Sequence, residues 1–172
     1  DIYLTGNPQI TFFKVVYRRH TNFSMETIQQ TIAGTPTESG SSTVTISRNG
    51  DLVYKIYVAN DSTSLTNGTE LVNEVELEIG GQRIDKQYAE WNDIWNELTI
   101  PHHKGHAFRT MAHVGHKVAV TSGSQVQSEH GQLVQIPLNF WFCRNPGLAL
   151  PLIALQYHEV KLKFNWGTDV NC

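Results

Sequence analysis

The sequence predicts an all-β protein, an antiparallel jelly-roll β-sandwich with one short helix around residues 86–98. Apolar and polar residues alternate with a period of two along many short segments, as expected for half-buried strands. Clusters of Gly, Ser, Thr and Asn separate these segments. Only one segment carries apolar residues at the three- and four-residue spacing of an amphipathic helix. This combination favours two sheets packed face to face.

The strands are predicted from this alternation and from a β-branched and aromatic composition. In chain order they are residues 10–17, 28–32, 43–47, 52–58, 74–79, 117–121, 133–142 and 155–166. Asn49 and Gly50 favour the positive φ angles of a tight turn, which predicts that strands 43–47 and 52–58 form a hairpin. In strand 74–79 glutamates alternate with apolar residues, which predicts a buried inner face and an acidic outer face.

The helix is predicted between Asp85, which is suited to the N-cap position, and Leu98, with Pro101 preventing its continuation. Its apolar residues form one aromatic-rich stripe: Tyr88, Trp91, Ile94, Trp95 and Leu98. An exposed stripe of this kind could stack a cofactor or a nucleic-acid base. Amphipathic helices usually bury their apolar face, so we expect the stripe to cover one open end of the sandwich.

Long polar loops are predicted at residues 34–42, 60–70 and 122–132. They occur at every second junction, and such junctions lie at the same end of an antiparallel sandwich. We therefore expect these loops together on one displayed end. A carbohydrate-binding jelly roll that displays residues 60–70 is one functional alternative. Asn60 and Asn67 each begin an Asn-x-Ser/Thr sequence, so they are candidate glycosylation sites in that loop.

Charge and cysteine content exclude several classes of function. The 172 residues include only 17% charged side chains and carry a net charge of -3, so the chain has no bulk attraction for nucleic acid or for an anionic membrane. Its two cysteines, Cys143 and Cys172, cannot form a disulfide framework. The chain begins without Met or a signal-peptide pattern and stops soon after the last predicted strand, which predicts a segment of a longer protein.

Histidines are concentrated in the window 102–116: His102, His103, His106, His113 and His116. Imidazole is a common ligand of zinc and iron, so a metal-dependent, cupin-like jelly-roll enzyme is a second alternative. The window contains no Cys or carboxylate and lacks the HExxH spacing, so we interpret it as an irregular connection. No nucleophile elbow, P-loop or dinucleotide motif occurs either. No catalytic, cofactor-binding or metal-binding residue is predicted.

Residues 138–142 combine Leu, Asn and three consecutive aromatic side chains. Successive residues of a strand face opposite sides, so an apolar run in a strand needs cover on both faces. The outer face of a two-layer sandwich is normally exposed to water. We therefore expect a neighbouring domain or subunit to pack against this run.

Two long motifs resemble those of one viral protein family. Residues 4–23, LTGNPQITFFKVVYRRHTNF, resemble the opening of the major capsid proteins of the nucleocytoplasmic large DNA viruses, the chlorella-virus, iridovirus and mimivirus group. Residues 136–160, IPLNFWFCRNPGLALPLIALQYHEV, are similar to the second signature of that family. The WNDIW sequence at 91–95 lies between them.

The resemblance implies a coat protein and not an enzyme. Members of this family carry two jelly rolls in tandem, and three copies form a pseudo-hexagonal capsomer of an icosahedral shell over an internal membrane. The implied partners are copies of the same chain, neighbouring capsomers and minor capsid proteins, with no direct contact to nucleic acid and no membrane span. The implied location is the virion, assembled in the host cytoplasm from a protein made late in infection.

The chain departs from the family pattern in length. The second jelly roll is absent, and seven strands are counted between Ile28 and Trp166, where a complete roll has about eight. We therefore predict that residues 1–172 are a single N-terminal jelly-roll domain whose last strand follows Cys172. A sheet without that strand would be prone to aggregate, so trimer formation by this segment alone is not expected.

Overall fold

The computed structural model describes residues 22–60, 68–112, 114 and 134–167. Several predicted elements lie outside these residues: the strands at 10–17 and 117–121, the loop at 122–132 and most of the loop at 60–70.

The described part of the chain is mostly strand, with short helices between the strands. The strands are β1 (Ile32–Ala33), β2 (Ser41–Thr45), β3 (Leu52–Val53), β4 (Tyr57–Asn60), β5 (Val72–Ile79), β6 (Gln82–Tyr88), β7 (Val134–Pro137), β8 (Leu150–Pro151) and β9 (Val160–Trp166). The α-helices are α1 (Ala89–Thr99), α2 (His102–Ala112) and α3 (Trp141–Arg144). Short 3-10 turns occupy Gly68–Leu71, Pro146–Leu148 and Leu152–Leu155.

The strands form one large antiparallel sheet and two ribbons. The large sheet has the order β1-β2-β9-β5-β6, so β9 occupies its centre. One ribbon pairs β3 with β8 and the other pairs β4 with β7. Leu162 of β9 lies opposite Val44 of β2 on one side and Leu77 of β5 on the other, which places three apolar side chains in one row.

One hydrophobic core joins the large sheet to the ribbons and to α3. The inner face of the sheet contributes mainly Val44, Val75, Leu77, Val160, Leu162, Phe164 and Trp166. The opposite layer contributes mainly Val58, Val134, Ile136, Phe140 and Phe142. The indole N–H of Trp166 donates to Ser42 Oγ at 2.7 Å, so the polar atoms at this edge of the core are paired. The predicted all-β, antiparallel two-layer fold is confirmed.

The predicted hairpin between 43–47 and 52–58 is wrong. β2 pairs with β1 and β9, whereas the second segment divides into β3 and β4, which belong to the two ribbons. Arg48 explains the difference, because its guanidinium donates to the backbone carbonyls of Leu155 at 2.8 Å and His158 at 3.1 Å and also contacts that of Gln156. This long-range anchor ties the Asn49-Gly50 bend to residues 155–158, and the local turn preference does not decide the pairing.

The predicted strand 133–142 is only partly present. β7 ends at Pro137, and residues 141–144 form the helical turn α3. Phe140 and Phe142 are fully buried, with ring centroids 5.6 Å apart, while Trp141 packs edge-on against Phe142 at 5.2 Å. A helical turn lets consecutive aromatic side chains reach one core without a second covering layer. The strand geometry that led us to expect a neighbouring domain or subunit at this run is therefore wrong.

The helical region also differs from its prediction. Gln82–Tyr88 is strand β6, which pairs with β5 through a turn at Gly80 and Gly81, both at positive φ (61° and 84°). The helix α1 starts at Ala89, so Asp85 is not its N-cap; the Asp85 carboxylate accepts from the backbone N–H of Lys86 instead. The irregular connection predicted over 102–116 is the helix α2 up to Ala112.

Two other strands are shorter than predicted. The segment 155–166 begins with the end of a 3-10 turn, and only Val160–Trp166 is strand. The segment 28–32 contributes only Ile32 to β1. In both cases the paired length is set by the neighbouring strand of the sheet, which an alternation pattern does not contain.

Candidate functional site

The apolar face of α1 is exposed. Its outward residues Trp91, Ile94 and Leu98 are 42%, 54% and 77% exposed, and Tyr88, which immediately precedes the helix, is 49% exposed; these four residues are here called the α1 stripe. Trp95 on the same side is half-buried. The prediction that the stripe covers one end of the sandwich is therefore wrong for this chain: the spacing identified the right residues but the wrong environment.

An asparagine cluster holds α1 against the core. Asn139, between β7 and α3, donates from Nδ2 to Asn92 Oδ1 at 3.1 Å and to Asn96 Oδ1 at 3.0 Å. Asn92 and Asn96 are four residues apart and so lie on the same helix face. This polar face points inward, and Asn96 is buried. The inward orientation of the asparagines leaves the α1 stripe pointing outward.

Gln87 extends this cluster into β6. Its Nε2 donates to the carbonyl oxygen of Asn139 at 3.1 Å and to Asp85 Oδ2 at 3.2 Å. The side chain is buried, and its Oε1 has no hydrogen-bond partner among the described residues. The cluster therefore connects the strand, the helix and the β7–α3 connection, and it fixes how α1 is rotated.

Aromatic and cationic contacts stiffen one end of the stripe. The rings of Trp91 and Trp95 lie 5.7 Å apart. The guanidinium of Arg144, from α3, lies over the Trp95 ring at 4.0 Å from its centroid. Trp91 is thus presented on a fixed support, a property common in residues that anchor protein interfaces.

The two neighbouring helices carry opposite charges. α1 contains Glu90, Asp93 and Glu97 and no Lys or Arg, and α2 contains Lys104, Arg109 and three histidines and no acid. At 100° per residue, these three acids occupy the arc of α1 between Asn96 on one side and Ile94 of the stripe on the other. His102, His106 and Arg109 share one face of α2, and all three are exposed.

The histidine cluster is only partly described. The structure places His102, His103 and His106 on exposed positions of α2, while His113 and His116 lie outside the described residues. Among the described residues no group of three His, Cys, Asp or Glu side chains is arranged to hold a metal ion. The described histidines thus form part of a polar helix surface.

Ion pairs between adjacent strands neutralise the glutamates on the outer face of the large sheet. Lys86 Nζ lies 2.8 Å from Glu74 Oε2 and 3.2 Å from Glu76 Oε1, and Lys163 pairs with Glu78. The hydrogen bond from Lys86 is the main reason that the pKa of the Glu76 carboxyl is below its usual value. The acidic outer face predicted for this strand is confirmed, and the adjacent strands supply its cations.

Comparison with known proteins identifies the family of this chain. Residues 11–172 match the family model described as "Major capsid protein N-terminus". The chain belongs to the major capsid protein family. It is 54% identical over 186 residues to the major capsid protein of Pyramimonas orientalis virus, covering 99% of this chain and 45% of that protein. It is 47% identical over 177 residues to that of Paramecium bursaria Chlorella virus 1, covering 99% of this chain and 39% of that protein.

A solved capsid-protein structure has the same fold. The crystal structure of PBCV-1 VP54, fitted into a reconstruction of the virophage Sputnik, superposes with a TM-score of 0.71 at 42% identity. The match covers 93% of this chain and 38% of VP54. The jelly-roll prediction and the resemblance noted from the sequence are confirmed. The chain spans less than half the length of the relatives it matches.

The candidate glycosylation sites and one of the two cysteines can be compared with the structure. Asn60 is the last residue of β4, opposite Val134 and half-buried, and Asn67 lies outside the described residues, so glycosylation at both stays a prediction. Cys143 is a buried free thiol, and burial raises its pKa to about 11. Within the described residues no helix is long and apolar enough to cross a membrane.

Sequence reasoning missed the residues that orient the site. Asn92 was quoted only as part of the WNDIW sequence, Asn96 was not singled out, and Asn139 was interpreted as part of an apolar strand. A usable signal for α1 was present in WNDIWNEL, where asparagines recur four residues apart beside the stripe. Two polar faces and one apolar face on a single helix leave open which of them is buried.

Proposed function

We propose that this protein is a structural subunit of a virus shell. The observation that carries the proposal is the match of residues 11–172, nearly the whole chain, to the capsid family. The surface agrees with such a role: an apolar stripe is held rigidly outward on a molecule with few charges. A surface of this kind serves association between proteins.

The assembly follows from the family pattern. The described residues belong to the first jelly roll, and a second roll completes the subunit. Three subunits form a pseudo-hexagonal capsomer, and capsomers tile an icosahedral shell. Apolar area buried between rolls and subunits supplies affinity, and polar rim groups set the contacts between capsomers.

The remaining partners are further parts of the proposal. Minor capsid proteins bind the capsomers, and an inner membrane lies beneath the shell without being spanned by this chain. The protein resides in the virion, is assembled in the host cytoplasm and is made late in infection. A net charge of -3 fits a protein that does not contact the genome directly. Its role is structural and not catalytic.

Electron microscopy of the purified full-length product tests this proposal. We expect pseudo-hexagonal trimers, and shells or arrays of them at higher concentration. Analytical ultracentrifugation on the same sample should give three times the subunit mass. A full-length protein that stays monomeric at every concentration would overturn the proposed function.

A further inference from the structure

An open cleft lies at the end of the large sheet where β5 turns into β6. Ile79, the last residue of β5, pairs with Val160 of β9. The backbone N–H of Gly80 donates to the carbonyl oxygen of Glu159 at 2.9 Å, which holds the turn against the segment before β9. The cleft has a volume of about 260 Å³ and is lined by Glu78, Gly80, Gly81, Tyr157, His158, Glu159 and Lys161. It lies at the opposite end of β6 from α1, so it is separate from the α1 stripe.

Two glycines shape the cleft. Gly80 has φ 61°, and a Cβ atom there would lie 2.5 Å from His158 Nδ1, far inside van der Waals contact. The imidazole therefore rests on bare backbone. A Cβ atom on Gly81 would meet nothing within 4 Å, so this side of the cleft is open. The backbone of His158 is held at two points, because its N–H donates to the Leu155 carbonyl at 3.0 Å and its carbonyl accepts from Arg48 at 3.1 Å.

The carboxylates of the cleft are paired with lysines of the same chain. Lys161 Nζ lies 2.7 Å from Glu159 Oε2, and Glu78 accepts a hydrogen bond from Lys163. Because these charges cancel, the cleft has no net attraction for an anion or a cation. Within the described part of the chain, no three His, Cys, Asp or Glu side chains are arranged to hold a metal ion. The ligand that suits this cleft is therefore neutral.

The polar groups and the exposed ring of the cleft suit a polyhydroxylated ligand. Glu159 and Lys161 present hydrogen-bond acceptors and donors side by side, and a hydroxyl group can use both. Tyr157 is 94% exposed, so its ring offers an apolar surface with a polar O–H group at its edge. Pockets for drug-sized ligands measure about 300–1,000 Å³. The smaller volume of this cleft restricts the bound part of the ligand to a single small ring.

We propose that this cleft binds a neutral sugar ring, whose C–H face stacks on Tyr157 and whose hydroxyl groups bind Glu159 and Lys161. The His158 imidazole, seated on Gly80, forms a wall of the site. The inference goes beyond the proposed function and does not rest on it. The site also differs from the loop at 60–70 that was considered for carbohydrate binding. A ring of this kind occurs both in external glycans and in glycans carried by another copy of the chain.

Saturation-transfer difference NMR on full-length protein tests the proposal. The probes are the methyl glycosides of glucose, galactose and mannose, with glucosamine and glucuronate as charged counterparts. We expect a saturable signal from at least one neutral glycoside, and no tighter binding of either charged sugar. Absence of a signal from every neutral glycoside would overturn the proposal. Tighter binding of a charged sugar would overturn the assignment of a neutral ligand.

Substitutions of exposed aromatic residues locate the binding site. Tyr157→Ala removes an exposed ring and leaves the core intact, so we expect a folded protein whose Kd is raised about tenfold. Tyr157→Phe keeps the ring and should retain most of the affinity. Phe23→Ala is the matched control, because Phe23 is 80% exposed and does not line the cleft. Equal affinity in Tyr157→Ala and Phe23→Ala would overturn the proposal, since the sugar would then bind elsewhere.

Enzymatic removal of Asn-linked glycans distinguishes the two sources of the sugar. A larger NMR signal after treatment would mean that glycans of neighbouring copies occupy the cleft, and an unchanged signal would assign it to external glycans. Both outcomes support the site. The oligomeric state of the same sample is measured separately by mass photometry. A full-length protein that binds the sugar but never trimerises would overturn the proposed function and leave this inference standing.

Discussion

The large sheet and the helix α1 differ in how their exposed surfaces are composed. On the outer face of the sheet, each glutamate of β5 has a cationic or amide partner on an adjacent strand, as Glu74 has in Lys86 and Asn165. On α1, by contrast, apolar side chains face outward, with Leu98 77% exposed and Ile94 54% exposed. A surface that is complete in one chain serves solubility, and an incomplete surface serves association.

The largest expected effect separates the core from the stripe. Phe140→Ala removes a fully buried ring, so we expect it to lower the free energy of unfolding by about 3–5 kcal/mol. Leu98→Ala, at 77% exposure, should change it by less than about 0.5 kcal/mol. Urea unfolding of dissociated subunits measures both. Equal losses would mean that the stripe belongs to the core of the subunit.

The second effect concerns the cluster that orients the stripe. Asn139→Ala removes two side-chain hydrogen bonds and leaves Asn96, which is buried, without that donor. We expect a loss of about 1–3 kcal/mol in urea unfolding. A double-mutant cycle with Asn96→Ala should show coupling between the two positions. Purely additive effects would contradict the role of this cluster in fixing α1.

The third effect is a pH dependence from Cys143. Burial raises its thiol pKa from the ordinary value of 9.0 to about 11, so the folded state disfavours the thiolate. Keeping the thiol neutral stabilises the fold fully below the pKa of the unfolded thiol. This stabilisation is lost as the pH rises through the folded pKa of about 11, and the total loss in the free energy of unfolding is about 2 kcal/mol. The free energy of unfolding in urea is measured for Cys143→Ala and for the unmodified protein from about pH 7 to pH 11. The difference between the two pH profiles isolates this contribution. Identical pH profiles would contradict a buried thiol.

The smallest effect is expected on the ion-paired face. The pKa of Glu76 is lowered, so its pairing stabilises the fold above the unfolded pKa and is lost as pH falls through the folded one. Because this group is near the surface and screened by solvent, Glu76→Gln should shift the acid unfolding midpoint only slightly. Trimer formation should be unaffected. Loss of trimers in this variant would place the sheet face, and not α1, in the capsomer contact.

The sequence predicts the class of fold better than its pairings. Period-two alternation identified β5 and its acidic face, because the buried side of a strand carries apolar residues and the exposed side carries polar ones. The hairpin at Asn49-Gly50 was wrong because Arg48 binds carbonyls more than a hundred positions along the chain. Such a contact leaves no local pattern.

The candidate site shows the same limit. Helical spacing identified the α1 stripe, but spacing tells which residues share a face and not what covers it. The direction depends on Asn139, a residue more than forty positions from its partners on α1. The helix α2 was missed because Gly105 and three histidines weaken its helical signal and its inward face is short.

Hydroxyl-radical footprinting of assembled and dissociated full-length protein tests the central claim most directly. Oxidation is read out at Trp91 and Leu98 on the stripe and at Tyr157, which is 94% exposed, as the reference. We expect assembly to protect Trp91 and Leu98 several-fold and to leave Tyr157 unchanged. Equal labelling of Trp91 and Leu98 in both states would contradict the claim that the α1 stripe is an assembly surface.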